Sequence, residues 1–342
     1  MNAPHPTFAL VLETNNLRGG DAEDTARVTK SLTRLFEHLR RQTHPLASLA
    51  EVVLTHDGLP EPARADLARS LGRPVRFVEI APETGYYEAK NRGFDATTAD
   101  VVAFADADCI PAPEWLSSLL APFARPEVQV TAGRTTYRDD VLGAAATTID
   151  FMYFPSPLAE GATRNFYANN VAFRRDIFAR FRYESAPGIY RGHCQRLGLA
   201  LARADIPVLH VPEAHTVHRF PDSARELVRL RLLRGADTVE MAPSLANAHL
   251  PERLRWLGRT GPLAALAVLG ARFAFSQRAL GRQGLSRLRP TKRAAARAAI
   301  AGISALDTAG ALGRSILRRD LGVRDGALVR DALSYHRDGD RV

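Results

Sequence analysis

One stretch constrains this chain more than any other. Between Ala99 and Leu116 an apolar run, Val101 to Ala105, ends in two carboxylates spaced i, i+2, Asp106 and Asp108; a proline turn and a helix start follow. Strand residues at i and i+2 share a face, so both carboxylates leave the strand end on the same side. Two anions held that close repel unless a cation lies beside them. A hard divalent ion carrying a diphosphate suits that need, because such ions take carboxylate and phosphate oxygens together. The plainer alternative is a turn followed by a helix cap, both of which favour Asp.

The rest of the chain supplies a context for the pair. Phe8 to Leu12 reads as a strand ending at Glu13-Thr14-Asn15-Asn16, and the apolar spacing from Asp24 to Leu39 predicts a helix. Further strands are expected at Glu51–Leu54, Val75–Ile80, Val101–Ala105 and Val128–Thr131. Helices are expected at 62–71, 84–98 and from Pro113. Strands separated by helices imply right-handed crossovers and a largely parallel sheet covered on both faces. Ligands of such sheets bind beyond the carboxyl ends of the strands, where Asn15, Asp57 and Asp106 would converge. Neither G-x-G-x-x-G after strand one nor G-x-x-x-x-G-K-[ST] is present. That argues against a dinucleotide dehydrogenase and a P-loop NTPase.

Later pieces are a segment Asn165 to Arg175 leading into a short helix, a helix from Gly192 to Asp205, and a strand Pro207–Val211 followed by Pro212 to Pro221. Within the first piece Arg174 and Arg175 suit either an anionic acceptor or a solvated face. In the helix, Cys194, Leu197 and Leu201 share one side.

At 342 residues the chain has room for one large α/β domain plus an appendage. Two cysteines, Cys109 and Cys194, are too few for a disulfide framework and fit a reducing, cytoplasmic compartment; both read as small hydrophobes. The first residues lack a basic stretch followed by an apolar core, so no signal peptide is expected. Charge is uneven: Pro251 to Val342 carries 18 Lys+Arg against 7 Asp+Glu, out of 46 and 37 in the chain, which leaves residues 1–250 at −2. A nucleic-acid groove through the main domain is therefore not expected, and a basic appendage facing an anionic surface is.

In order and in placement, four segments resemble the inverting, nucleotide-sugar-dependent glycosyltransferases of family 2, with the GT-A fold. They are Ala89-Lys-Asn-Arg-Gly93, the Ala99–Leu116 block, Ala168 to Arg175, and Val211 to His218. The resemblance implies a Rossmann-like GT-A α/β domain over residues 1–222 and a basic, Arg-rich helical region over 223–342. It implies a nucleotide-sugar donor, here taken as a UDP-sugar, with Thr14, Asn15, Asp57, Lys90, Asn91 and Asp106 as the donor-binding set. Asp57 falls where the family recognises the base. Asp108, with His215 or His218, is implied to hold Mg²⁺ or Mn²⁺. The acceptor is implied to be a saccharide or a lipid-linked hydroxyl.

The chain departs from the family at one place. Where the family opens a helix with Gly-Glu-Asp and takes its general base from that pair, this chain has Gly192-His193-Cys194. His193, an imidazole titrating near neutrality, or Glu184 upstream would then accept the acceptor's proton. Two other classes stay open: a sugar-nucleotide-binding protein without turnover, and a nucleotidyltransferase, of whose phosphate loop Asn15 to Gly20 is a faint echo. In the basic region the longest uncharged stretch, Thr260 to Ala271, has 12 residues, against about 20 for a membrane span. Trp256, Leu257, Leu263, Leu266, Leu269 and Phe273 among arginines suit an amphipathic helix, and Arg293 to Arg319 suits a second. These lie peripherally on an anionic cytoplasmic membrane face, or pack as a helical subdomain or dimer contact.

Overall fold

A computed structural model of the chain describes residues 6–14, 22–184, 189, 191–280 and 289–317. In chain order the elements are β1 (Phe8–Glu13), α1 (Ala22–Arg40), β2 (Glu51–His56), α2 (Glu61–Leu71), β3 (Arg76–Glu79), α3 (Tyr86–Asp95), β4 (Val101–Asp106) and β5 (Cys109–Pro111). Then come α4 (Trp115–Leu120), β6 (Val130–Thr136), α5 (Val141–Asp150), β7 (Ala162–Thr163), β8 (Asn170–Arg174), α6 (Arg175–Arg180) and α7 (His193–Arg203). The last four are β9 (Val208–His218), α8 (Ala224–His249), α9 (Pro262–Ala279) and α10 (Pro290–Leu317).

These elements form two compact units. One draws on Met1–Thr135, Pro155–Ser185 and Ala200–His218, the other on Thr136–Phe154, Ala186–Leu199 and Arg219–Val342. The first holds the sheet, ordered β3-β2-β1-β4-β8-β6-β9-β5, with β7 beside β9. The α/β class is as expected, but the sheet is mixed rather than largely parallel. The pairs β3–β2, β2–β1 and β1–β4 are parallel, whereas β4–β8, β8–β6, β9–β5 and β9–β7 are antiparallel. Within the parallel half, β1, β2 and β4 were readable because they are buried on both faces and so appear as mostly apolar runs.

Alternation divides β4 between two cores. Val101, Ala103 and Ala105 join Leu10, Leu12, Val52 and Leu54 under Leu32, Phe36, Trp115 and Leu119. Phe104 faces the other way, into Phe173, Phe178 and Tyr183, with Phe178 centred 4.9 Å from both Phe104 and Phe94. Asp106, two residues beyond Phe104, inherits that second face.

Asn170 ties the antiparallel half together. Its side-chain NH₂ donates to Ala214 O at 2.8 Å and Arg134 O at 3.1 Å, and its Oδ1 accepts from Trp115 Nε1 at 2.8 Å. The amide reaches from β8 past β6 to β9 because Gly133 lies in between. A Cβ there would overlap both Ala214 O and Asn170 Oδ1. Arg174 and Arg175 also turn inward, unlike either sequence expectation. Arg174 donates to Val128 O at 2.8 Å and Phe123 O at 3.0 Å, Arg175 to Ala99 O at 2.7 Å.

In the second unit α10 packs against α5, α8 and α9. A buried charge cluster joins three of these helices. Arg231 on α8 donates to Asp307 on α10 at 2.7 Å and to Asp150 on α5 at 2.6 Å; Arg234 also pairs with Asp150, which accepts from Tyr137 at 2.8 Å. Two positive and two negative groups balance, which lets them sit at 8% exposure or less. The segment from Arg293 is thus a packed helix, with Ala296, Ile300, Ile303 and Ala311 buried.

Asn170→Ala leaves an indole N–H and two carbonyls without their partner. We expect a loss of about 3 kcal/mol in urea unfolding. A loss under about 1 kcal/mol would show that the amide is not the strut described.

Candidate active site at the strand ends

The parallel strands β1, β2 and β4 deliver Glu13, His56 and Asp106 to one end of the sheet, Glu13 in register with both Thr55 and Asp106. Each strand is followed by a fixed turn. After β2, His56 Nδ1 accepts from Leu59 N at 3.2 Å and Gly58 takes φ 85°, a left-handed turn that carries the buried Asp57. After β1, Thr14 Oγ1 donates to Thr55 O at 3.1 Å. After β4, Ala107 N donates to Glu13 O at 3.1 Å, and the turn Ala107–Asp108 leads into β5.

Asp106 is held on both oxygens. Lys90, fully buried on α3, donates to Oδ1 at 2.5 Å, and Tyr86 OH donates to Oδ2 at 2.7 Å. The lysine nitrogen also lies 4.9 Å from the Tyr86 ring centre. Burial, and then the Asp106 charge, hold the Tyr86 phenol protonated far above its usual range. The next residue, Asn91, donates to Tyr183 O at 2.9 Å and Glu88 Oε2 at 3.2 Å. Lys90 and Asn91, expected in the donor-binding set, are both buried on α3 beside the strand ends. Tyr86 and Glu13, which the sequence reading passed over, lie beside Asp106. An aromatic at a helix start and an acid inside an apolar strand carry no local signal of a shared site.

One donor atom each of Asp106, Asp108, Cys109 and His218 lies within 4.8 Å of the others. Cys109 and His218 are a direct cross-strand pair of β5 and β9, which puts both on one face. His218 Nε2 is 3.7 Å from Asp108 Oδ2, and Cys109 Sγ is 3.9 Å from Asp108 Oδ1. Burial, and then Asp108 and Asp106, push the Cys109 thiol far up.

His215 is not part of this group. The strand expected over Pro207–Val211 runs on as β9 through Pro212 to His218, and residues three apart on a strand face opposite ways. His215 lies near Arg134 instead. Asn15, with the Asn15–Gly20 segment, lies outside the described residues. Glu184 is exposed, at the end of a described segment. His193 is buried at the start of α7, and belongs with the second unit.

Three sets of findings bear on what this arrangement is. The fold matches a solved mannosyltransferase, PcManGT from Pyrobaculum calidifontis, described in complex with GDP-Man and Mn²⁺. The TM-score is 0.58 at 17% identity, over 93% of this chain and 89% of that one. The fold class is therefore that of the GT-A glycosyltransferases. More narrowly, residues 26–186 match the model of Glycosyl transferase family 2. A pre-mycofactocin glycosyltransferase of Mycobacterium tuberculosis is 34% identical over 96 residues, which is 28% of this chain and 20% of that one. Glycosyltransferase AglE of Haloferax volcanii is 25% identical over 124 residues, 35% and 40% of the two chains. The chain thus spans less than half the length of either curated relative.

Two predictions follow from the site's electrostatics. Lys90→Met strands Asp106 as a buried carboxylate, and should cost about 3–5 kcal/mol in denaturant unfolding. Adding Asp106→Asn should recover much of that; simple additivity would show that the pair is not coupled. The second concerns acid. Burial first, then neighbouring arginines, holds His193 and His215 to about 4; burial likewise holds His210 to about 4, with Glu213 opposing. These values lie below the unfolded 6.5, so the unfolded chain takes up protons first as pH falls. The stability they contribute is complete above pH 6.5 and is lost from there down to about 4. Urea midpoints should fall steeply through that window, and His215→Gln should make the fall shallower; an unchanged slope in the variant would contradict the assignment.

Proposed function

We propose that this chain is a metal-assisted, inverting glycosyltransferase that moves a sugar from a nucleoside diphosphate, a UDP-sugar in our reading, to a saccharide or lipid-linked hydroxyl. The observation that carries the reading is the cluster of Asp106, Asp108, Cys109 and His218 at the strand ends, inside and just after the segment that matches the family 2 model.

The donor set fits a divalent ion. Asp108 offers a carboxylate and His218 an imidazole, both part-exposed, while Asp106 is occupied by Lys90 and Tyr86. Carboxylate with imidazole suits Mn²⁺ at least as well as Mg²⁺. When bound by Asp108 and His218, such an ion would offset the charge that builds on the departing diphosphate. Asp57 and Thr14 are assigned to the nucleotide end, at the ends of β2 and β1.

In the transfer, the acceptor oxygen bonds to the anomeric carbon as the bond from that carbon to the phosphate oxygen breaks. The nucleoside diphosphate leaves with the electron pair, and the hydroxyl proton goes to Glu184 or His193. His193, held neutral at pH 7 by burial, is in the state that accepts a proton. The absence of an acidic pair at Gly192-His193-Cys194 supports one second reading, a protein that binds sugar nucleotide without turnover.

UDP, GDP, CDP and ADP, each with and without Mn²⁺, should be tested by thermal shift on the purified chain and on Asp108→Ala. One diphosphate should stabilise the native chain only with metal, by about 2.7 kcal/mol at a hundredfold excess over Kd, and not the variant. No shift with any of them would overturn the reading. Release of free sugar from the matching donor separates a transferase from a binder, and its loss in Glu184→Gln or His193→Gln with donor binding intact names the base.

A further inference from the structure

We propose that the 3₁₀ segment Glu252–Arg259 together with α9 forms a docking surface for an anionic lipid bilayer, which the second unit would enter from the side without crossing. Helix α9 has two sides. Ala264, Ala265, Val268, Leu269 and Ser276 are buried, and even Arg272 is turned inward, donating to Ile149 O at 3.1 Å. The other side shows Leu263, Leu266, Gly270 and Phe273, at i, i+3, i+7 and i+10, all exposed. Such spacing sets them in one row along the helix. The 3₁₀ segment, which contacts α9, adds Trp256 at 61% exposure, close to the 64% of Leu263. A side chain of that size left in water on both elements is a cost that folding alone does not recover.

Charge selects the occupant. From Pro251 to Ala279 the chain has five arginines and one acidic residue, and Arg253 and Arg259 are exposed beside Leu254 and Trp256. Apolar side chains with an interfacial tryptophan and a fringe of arginines match a bilayer surface carrying anionic headgroups. A second copy of this chain fits poorly, since a two-fold contact on this patch would set the arginines against their own copies. Among the described residues no helix is long and apolar enough to cross a membrane, so the row lies along the interface.

The chain has two tryptophans, and Trp115 is 1% exposed. Emission changes on docking therefore report Trp256. Full-length protein is mixed with vesicles of phosphatidylcholine alone or with phosphatidylglycerol, and followed by emission and co-sedimentation. We expect a blue shift and pelleting with the anionic vesicles only, reversed by high salt and not produced by soluble glycerol phosphate. Arg253→Ala with Arg255→Ala and Arg259→Ala should weaken binding on the order of a hundredfold. Leu263→Ser with Phe273→Ser should weaken it while thermal unfolding stays that of the native chain. No shift with anionic vesicles overturns the proposal. So does a shift that follows protein concentration without lipid, which would assign the patch to a second copy. Neither outcome bears on sugar transfer, because the readout uses no donor.

Discussion

Asp106 stands at the buried carboxyl end of a central strand, where a charged side chain needs a partner. The site is arranged around that requirement. Lys90 supplies the positive charge from α3, and Tyr86, one turn earlier on the same helix, supplies a hydrogen bond to the second oxygen. Both sit at i and i+4, so a single helix face is committed to one side chain of β4. In return Asp106 fixes α3 over the strand ends. Asp108 is two residues on, in a turn pinned by Glu13 O, and is left facing His218 across the ladder of β5 and β9. The two aspartates of the motif thus have different surroundings. The first is tied into the protein, while the second stays part-exposed beside His218.

Strands β1, β2 and β4 were legible in the sequence because each pairs in parallel, is covered on both faces, and must therefore be mostly apolar. The strands beyond β4 were legible only in part, at Val128–Thr131 and Pro207–Val211, because their pairing depends on distant partners, as when Asn170 on β8 reaches Arg134 and Ala214, 36 and 44 residues away. Pro212 hid the second half of β9. A proline lacks the N–H a ladder needs, so the strand reading stopped before it. In the structure the ladders to β7 and β5 engage Val208–Leu209 and Thr216–His218, and Pro212 falls between them. That continuation is what separates His215 from His218, which a loop would have left free to converge.

Charge was the other blind spot. Sequence pattern assigns arginines to solvent, and Arg174, Arg175, Arg231 and Arg272 are instead spent on carbonyls and carboxylates inside. In the second unit this has a structural logic. Gly235 and Gly310 let α8 and α10 touch backbone to backbone, since a Cβ on either would overlap the opposite chain. Arg231 and Asp307 then fix which turn of one helix meets which turn of the other. Apolar packing of alanine-rich helices has little registry of its own, and a buried, neutralised pair supplies it.

With the interior arginines accounted for, the distribution of the remaining charge becomes informative. The basic excess of the C-terminal region is not uniform: some of it is neutralised in the Arg231–Arg234–Asp150–Asp307 cluster, and some of it lies exposed around Trp256. The same division holds for the histidines. Burial keeps His193 neutral at pH 7 and, by the same desolvation, makes it a weak base with a pKa of about 4. A base that weak takes a hydroxyl proton only as the hydroxyl is already bonding to carbon and becoming more acidic. His193 is one of the two residues proposed to take that proton; the other, Glu184, is exposed at the end of a described segment.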